Sequence, residues 1–287
     1  MDTLIERFPA QIAEALEIGE KAQINKHSKE INKVLVAGLG GSGIGADFVA
    51  ELVSDECPIP YLVSKGYTLP AYVDENTLVI ISSYSGNTEE TLASFEQALT
   101  TGAKIVCIAS GGKIIAQAKE LGLDHIEVPG NWPSPRACLG YSLIQQIFVL
   151  EKLGFISNTI ASQIKTSIDI INFNQEEIKA EAQKIAKQLY GKTPIIYTTD
   201  RMESVAVRLR QQINENAKLL CWHHVIPEMN HNELVGWKDT RNDVAVLYLR
   251  NKDDYKRNAV RIDINQKIIS GLCDTVIEAY SKGNSLP

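Results

Sequence analysis

Two short segments carry more hydroxyl and glycine than the start of a helix requires. The first, Gly38-Leu39-Gly40-Gly41-Ser42-Gly43, follows the apolar run Val34-Leu35-Val36-Ala37 and precedes a helical stretch reaching Leu52. The second, Ser82-Ser83-Tyr84-Ser85-Gly86-Asn87-Thr88, follows Thr77-Leu78-Val79-Ile80-Ile81 and opens another helix. Backbone N–H groups at a helix N-terminus point outward with the positive end of the helix dipole, so hydroxyls added there make a cradle for a phosphate monoester with little need of lysine or arginine. A plain N-cap uses one hydroxyl, whereas Ser82, Ser83, Ser85 and Thr88 supply four. The first segment also matches the dinucleotide pattern G-x-G-x-x-G, which needs a carboxylate about 20 residues further on to hold the ribose. Val63-Ser64-Lys65-Gly66 stands there instead, which favours the phosphate monoester.

Short apolar runs alternating with helical patterns must position these loops. Residues 1–30 read as one or two helices. Strands follow at 34–37, 60–63, 77–81, 105–109 and 125–128, with helices through Leu52 and over 87–101, 113–122 and 137–153. That alternation predicts a parallel sheet covered by helices. A polar helical bridge spans 154–190, and a second alternation begins at Thr193-Pro194-Ile195-Ile196-Tyr197-Thr198. It continues through a helix at 202–219, a short run near Cys221, a strand at 243–249 and a helix near 255–270. The expected organisation is an α/β domain over 1–153, a bridge over 154–190 and a smaller α/β domain over 191–287.

Within the 202–219 helix, Met202, Ala206, Leu209, Ile213, Ala217 and Leu220 recur at helical spacing as a core stripe. Glu215 lies two positions from Ile213, about 200° around the helix, and so points away from the stripe. Its neighbours Asn214 and Asn216 are poor helix formers in a helix interior. Further on, Asn230 and Glu233 fit a capping box, which makes His231 the first residue of a helix.

The composition is that of a globular protein: 287 residues, 44% hydrophobic and 22% charged. Twenty-nine Lys and Arg against 35 Asp and Glu give a net charge of −6, which argues against nucleic-acid binding. Five widely spaced cysteines without a C-x-x-C pair read as reduced thiols. No apolar stretch approaches the ~18 residues of a membrane span, and Met1 to Ala10 is unlike a signal peptide. The expectation is a cytoplasmic protein with no membrane partner.

Gly40-Gly41-Ser42-Gly43 followed by Ser83-Tyr84-Ser85-Gly86-Asn87-Thr88 resembles the sugar isomerase (SIS) domain. Three further segments extend the likeness over nearly the whole chain: Pro133-Ser134-Pro135-Arg136-Ala137, the run from Gln211 to Lys218, and the run from His223 to Glu233. With them the chain is similar to the bifunctional phosphoglucose/phosphomannose isomerases. The resemblance implies two tandem flavodoxin-like SIS domains, each a parallel sheet flanked by helices. It implies that Ser83, Ser85 and Thr88 grip the phosphate of a hexose phosphate. Ser42, with Gly40, Gly41 and Gly43, would line the same pocket.

Aldose–ketose isomerisation needs one base to move a proton between C1 and C2 through an enediol. A carboxylate in a dry cleft, its pKa raised toward neutrality, suits the task. The resemblance makes Glu215 that base, Arg136 the cation that stabilises the enediolate, and His231 the group that opens the sugar ring. A helix N-terminus at His231 would favour neutral imidazole. Glu233 would be structural, and His223 and His224 carry no assigned role. The resemblance further implies a homodimer with His231 supplied across the interface. No metal or organic cofactor is needed for proton transfer through an enediol. Relatives also carry a C-terminal helix with a lysine that assists ring opening. This chain ends at Ser285-Leu286-Pro287, before such a helix, and its last lysine is Lys282. The alternative is a non-catalytic phosphosugar-binding SIS protein. Aminosugar-phosphate chemistry is a third reading, which lacks an ammonia source or glutaminase domain here.

Overall fold

A computed structural model of the chain describes residues 1–283. The chain divides into two compact units, Met1–Asn172 and a second that begins at Phe173. In the first, α1 (Asp2–Glu6) and α2 (Phe8–Lys21) precede β1 (Lys33–Ala37), α3 (Gly40–Val53), β2 (Tyr61–Ser64) and β3 (Thr77–Ser82). Then come α4 (Glu89–Ala98), β4 (Lys104–Ala109), α5 (Gly112–Glu120), β5 (Asp124–Glu127) and α6 (Leu139–Leu153). All five strands are parallel, in the order β2-β1-β3-β4-β5. This is the flavodoxin-like order, which reverses direction between β1 and β3.

The apolar runs are strands because a parallel sheet is covered on both faces, so alternation gives way to continuous burial. β3 is buried at all six positions. Val34, Val36, Leu78, Ile80, Val106 and Ile108 pack with Ile12 of α2, Val49 of α3 and Ile144 and Phe148 of α6. Their neighbours in sequence, Leu35, Val79, Ile81, Ile105 and Cys107, meet Phe95 of α4 and Ile114 of α5 on the opposite face. That is the two-residue period of a strand. Burial pushes the Cys107 thiol up to about 12, and all five cysteines are free.

The division between the units falls inside α7 (Thr159–Leu189). The second unit holds β6 (Thr193–Thr199), α8 (Glu203–Gln212), β7 (Trp222–Ile226), β8 (Val244–Arg250), α9 (Lys256–Ile269) and β9 (Val276–Tyr280). Its parallel sheet runs β7-β6-β8-β9, the same order shortened by one strand. Ile195, Tyr197, Ile226, Met229, Val246, Tyr248, Ile262 and Ile269 form its core. β9 extends the alternation beyond the helix near 255–270 where the sequence reading stops. Glu278 interrupts its apolar run, and the strand holds the sheet edge with Glu278 paired to Arg250 Nη1 at 2.6 Å.

Two expected helices differ. The helix predicted over 202–219 stops at Gln212, and Ile213–Ala217 forms a π-helical turn closed by Lys218 at φ 58°. The stripe therefore fails at its end: Met202 and Ala206 are buried, but Ala217 and Leu220 are exposed. The helix expected to begin at His231 is absent. His231 instead ends a 3₁₀ turn, Glu228–His231, and a second 3₁₀ turn, Glu233–Gly236, follows it. Lys282 Nζ pairs with Glu177 at 2.6 Å and Glu181 at 3.0 Å on α7. Ser285-Leu286-Pro287 lies outside the described residues. Among the described residues no helix is long and apolar enough to cross a membrane.

Ile80 is fully buried at the centre of the larger sheet. Ile80→Ala is expected to cost about 2–5 kcal/mol of unfolding free energy by denaturant titration. Leu121→Ala, at a site 52% exposed, should stay within about 0.5 kcal/mol.

Candidate functional site

Both glycine-serine segments leave the carboxyl ends of adjacent strands, β1 and β3, where the strand order reverses. In open α/β sheets that switch point is the place where ligands bind. α3 begins at Gly40, so Gly40, Gly41, Ser42 and Gly43 make up its first turn, with Ser42 buried. A Cβ on Gly43 would lie 2.6 Å from the Gly38 carbonyl oxygen, so only glycine lets this turn fold back onto the end of β1. A Cβ on Gly41 would lie 3.8 Å from the Pro135 carbonyl oxygen. That contact brings the 3₁₀ turn Pro135–Ala137, with half-buried Arg136 at its centre, against the first glycine turn.

The second segment is seated on the loop before α5. Gly86 has φ +67°, and a Cβ there would lie 1.9 Å from the Gly111 carbonyl oxygen. Ser110 Oγ donates to the Tyr84 carbonyl at 2.6 Å, and the Ile114 amide donates to the Gly86 carbonyl at 3.1 Å. With the carbonyls thus engaged, Ser83 Oγ and Thr88 Oγ1 lie 2.8 Å apart. Ser85 Oγ accepts from the Asn87 amide at 3.2 Å. Thr88 is the N-cap of α4 but makes no side-chain capping bond, so the first amides of that helix keep their donor capacity. Ser82 is a correction to the hydroxyl count. Its Oγ lies 3.0 Å from Ser142 Oγ of α6, so it ties the strand to a helix and does not face the loop. The structure thus gathers Ser42, Ser83, Ser85, Thr88, the three glycines and the Arg136 turn on one unit. A groove of about 700 Å³ lies elsewhere, along β5, and its Lys119 and Asp124 are paired with Glu127 and Lys104.

Glu215 and His231 belong to the second unit. Glu215 is exposed on the π-helical turn, a distortion that recurs at functional sites. Asn214 Nδ2 donates to the Leu219 carbonyl at 2.8 Å, and Lys218 Nζ donates to the Glu215 carbonyl at 2.7 Å. The two asparagines that flank Glu215 therefore belong to the closing of a helix, and Asn214 makes one of its bonds. Arg208 lies two turns earlier, with Nη1 donating to Gln211 Oε1 at 3.2 Å. Burial pulls the Arg208 guanidinium below its ordinary value, and the Glu215 charge acts against that shift. Sequence reasoning passed over Arg208, although a spacing of seven puts it on the Glu215 face of the chain.

His231 is exposed at the end of its 3₁₀ turn. The expected capping box does not form: Asn230 Nδ2 bonds Asn265 Oδ1 at 2.8 Å, and Asn232 Oδ1 accepts from the Glu233 amide at 2.6 Å. The dipole argument for a neutral imidazole falls with it, since His231 is not at a helix start. Tyr197 Oη donates to Glu233 Oε1 at 2.5 Å, and Trp222 Nε1 donates to the same oxygen at 3.1 Å. Glu233 thereby ties the turn to β6 and β7. His223 Nε2 is 3.6 Å from Glu203 Oε1, and burial lowers its pKa.

Residues 29–151 match the SIS domain family, and residues 178–286 match the bacterial phospho-glucose isomerase C-terminal SIS domain family. The chain is 40% identical to the bifunctional phosphoglucose/phosphomannose isomerase of Caldicellulosiruptor bescii, over 97% of this chain and 85% of that one. It is 37% identical to the protein of the same name from Aquifex aeolicus, over 88% and 77%. The fold is also that of the C-terminal domain of glucosamine-fructose-6-phosphate aminotransferase from Francisella tularensis. That likeness has a TM-score of 0.72 and 12% identity, over 96% of this chain and 83% of that one.

Gly86→Ala is expected to drive Cβ into the Gly111 carbonyl and displace the loop. Phosphosugar binding by calorimetry should be lost, and unfolding should become easier by about 1–3 kcal/mol. Ser82→Ala should leave binding unchanged.

Proposed function

The chain belongs to the bifunctional phosphoglucose/phosphomannose isomerase family, and from that premise we propose that it interconverts glucose 6-phosphate and mannose 6-phosphate with fructose 6-phosphate. The observation that carries this reading is the 40% identity over 97% of the chain, which takes in the phosphate loops and the Glu215 and His231 segments together. The domain organisation proposed is 1–153 for phosphate binding, a bridge over 154–190, and 191–287 for proton transfer.

Ser83, Ser85 and Thr88 hold the phosphate with the open amides of α4, and Ser42 with Gly40, Gly41 and Gly43 lines the pocket. Glu215 takes the proton from C1 or C2 and returns it to the other carbon. The cis-enediol that forms carries negative charge on oxygen, which Arg136 stabilises as a fixed guanidinium. His231 opens the sugar ring by moving a proton between the anomeric hydroxyl and the ring oxygen. The carbons exchange only protons, so the reaction draws on no organic cofactor or metal. The protein works in the cytoplasm, which its five free cysteines support.

The active form is a homodimer with His231 supplied to the partner's site. Apolar side chains exposed around the His231 segment support this: Leu220 at 83%, Val235 at 79% and Trp222 at 39%.

Two outcomes test the proposal. Glu215→Gln should lower turnover by about 10²–10⁴-fold while phosphosugar binding is retained. Mixing Glu215→Gln with His231→Gln subunits should restore about a quarter of wild-type activity, because half of the dimers regain one complete site. No recovery on mixing would place His231 and Glu215 of one chain in the same site.

A further inference from the structure

His231 is exposed, and its imidazole takes no hydrogen bond among the described residues. Its aim therefore depends on the backbone that carries it, and the residues on both sides are tied down. Asn230 is bonded to Asn265 of α9, which is almost wholly buried. On the other side Asn232 is held by three bonds. Its Oδ1 accepts from the Glu233 amide at 2.6 Å and from His224 Nε2 at 3.0 Å, and its Nδ2 donates to Glu228 Oε1 at 3.0 Å.

The His224 tautomer follows from its neighbours. The Val225 amide donates to His224 Nδ1 at 2.8 Å, so Nδ1 accepts and the proton sits on Nε2. That proton is directed at Asn232 Oδ1. Turning the Asn232 amide over would set its NH₂ against two donors, so its orientation is determined. His224 lies in β7, which pairs with β6 through Tyr197↔His224. The rigidity of the sheet thus reaches the residue next to His231 through one imidazole and one amide.

We propose that His224, acting through Asn232, is a positioning residue for His231. It holds the turn so that the imidazole meets the ring oxygen and anomeric hydroxyl of the sugar. The inference rests on the reading of His231 as the ring-opening group. Proton transfer at C1 and C2 by Glu215 does not pass through this turn, so the two steps separate experimentally.

The test compares two substrates. Fructose 6-phosphate is cyclic in solution and must be opened. Erythrose 4-phosphate has its O4 esterified and cannot close a ring, yet its C2 proton can exchange with deuterium through the same base. His224→Ala should lower kcat on fructose 6-phosphate by about 10–100-fold, the effect of a small misplacement, with KM unchanged. Exchange at C2 of the tetrose should stay at the wild-type rate. His224→Gln, whose amide can donate to Asn232 Oδ1, should recover most of the loss. Proportional loss on both substrates in either variant would assign His224 to folding alone and overturn the proposal, as would an unaffected kcat on fructose 6-phosphate. His231→Gln separates the underlying reading: selective loss on fructose 6-phosphate is expected of it. If His231→Gln spares that substrate, the ring-opening reading itself fails.

Discussion

A contact between two stretches of backbone determines the shape of the proposed phosphate cradle. Gly86, in a left-handed conformation, lies against the Gly111 carbonyl with no room for a Cβ. This contact and the bond from Ser110 to Tyr84 seat the 82–88 segment at the carboxyl end of β3. The Tyr84 and Gly86 carbonyls are used inward, and the Ser83, Ser85 and Thr88 hydroxyls with the α4 amides are the groups proposed to meet a ligand. A dianion held this way needs no cluster of basic side chains, so a chain of net charge −6 can bind a phosphate ester. The neighbouring turn at the end of β1 obeys the same rule, with Gly43 packed on the Gly38 carbonyl. Two close approaches made possible by glycine thus converge where the sheet order reverses.

The second unit repeats the strand order without such loops, and its specialised features are irregular. A π-helical turn carries Glu215 beyond the end of α8, with the Arg208 guanidinium acting on it electrostatically. Paired 3₁₀ turns carry His231, held by Asn232, Glu233 and their partners on the sheet. A regular helix at either place would fix its side chains at 100° intervals, whereas these turns let a single side chain stand clear of the core. Exposure of Glu215 within its own unit differs from the dry cleft that the sequence reading expects around the base.

What could be read from the sequence follows from these physical differences. Val34–Ala37 and Thr77–Ile81 announce themselves because strands buried on both faces are continuously apolar. Glycine and serine at their ends mark the loops for the same reason that they function there. The failures lie where a local pattern had two structural solutions. The Met202 to Leu220 stripe assumes 100° per residue to its end, and one wider turn at Ile213 sends Ala217 and Leu220 outward. Asn230 and Glu233 have capping-box spacing, but Asn230 is drawn to Asn265 and Asn232 caps instead. Ser82 could not be told from Ser83, because adjacent strand residues point to opposite faces and only the position of Ser142 decides between them. β9 was missed because a charged residue, Glu278, is satisfied by an arginine distant in sequence.

The central claim is that one base on this chain moves a proton between C1 and C2 of a phosphate-anchored hexose and can deliver it to either face of C2. Proton NMR of fructose 6-phosphate incubated with the protein in heavy water tests it most directly. The account predicts deuterium at C2 of both glucose 6-phosphate and mannose 6-phosphate as they appear. Fructose 6-phosphate that binds to the protein, yet gives neither aldose and gains no deuterium at C1, would contradict it.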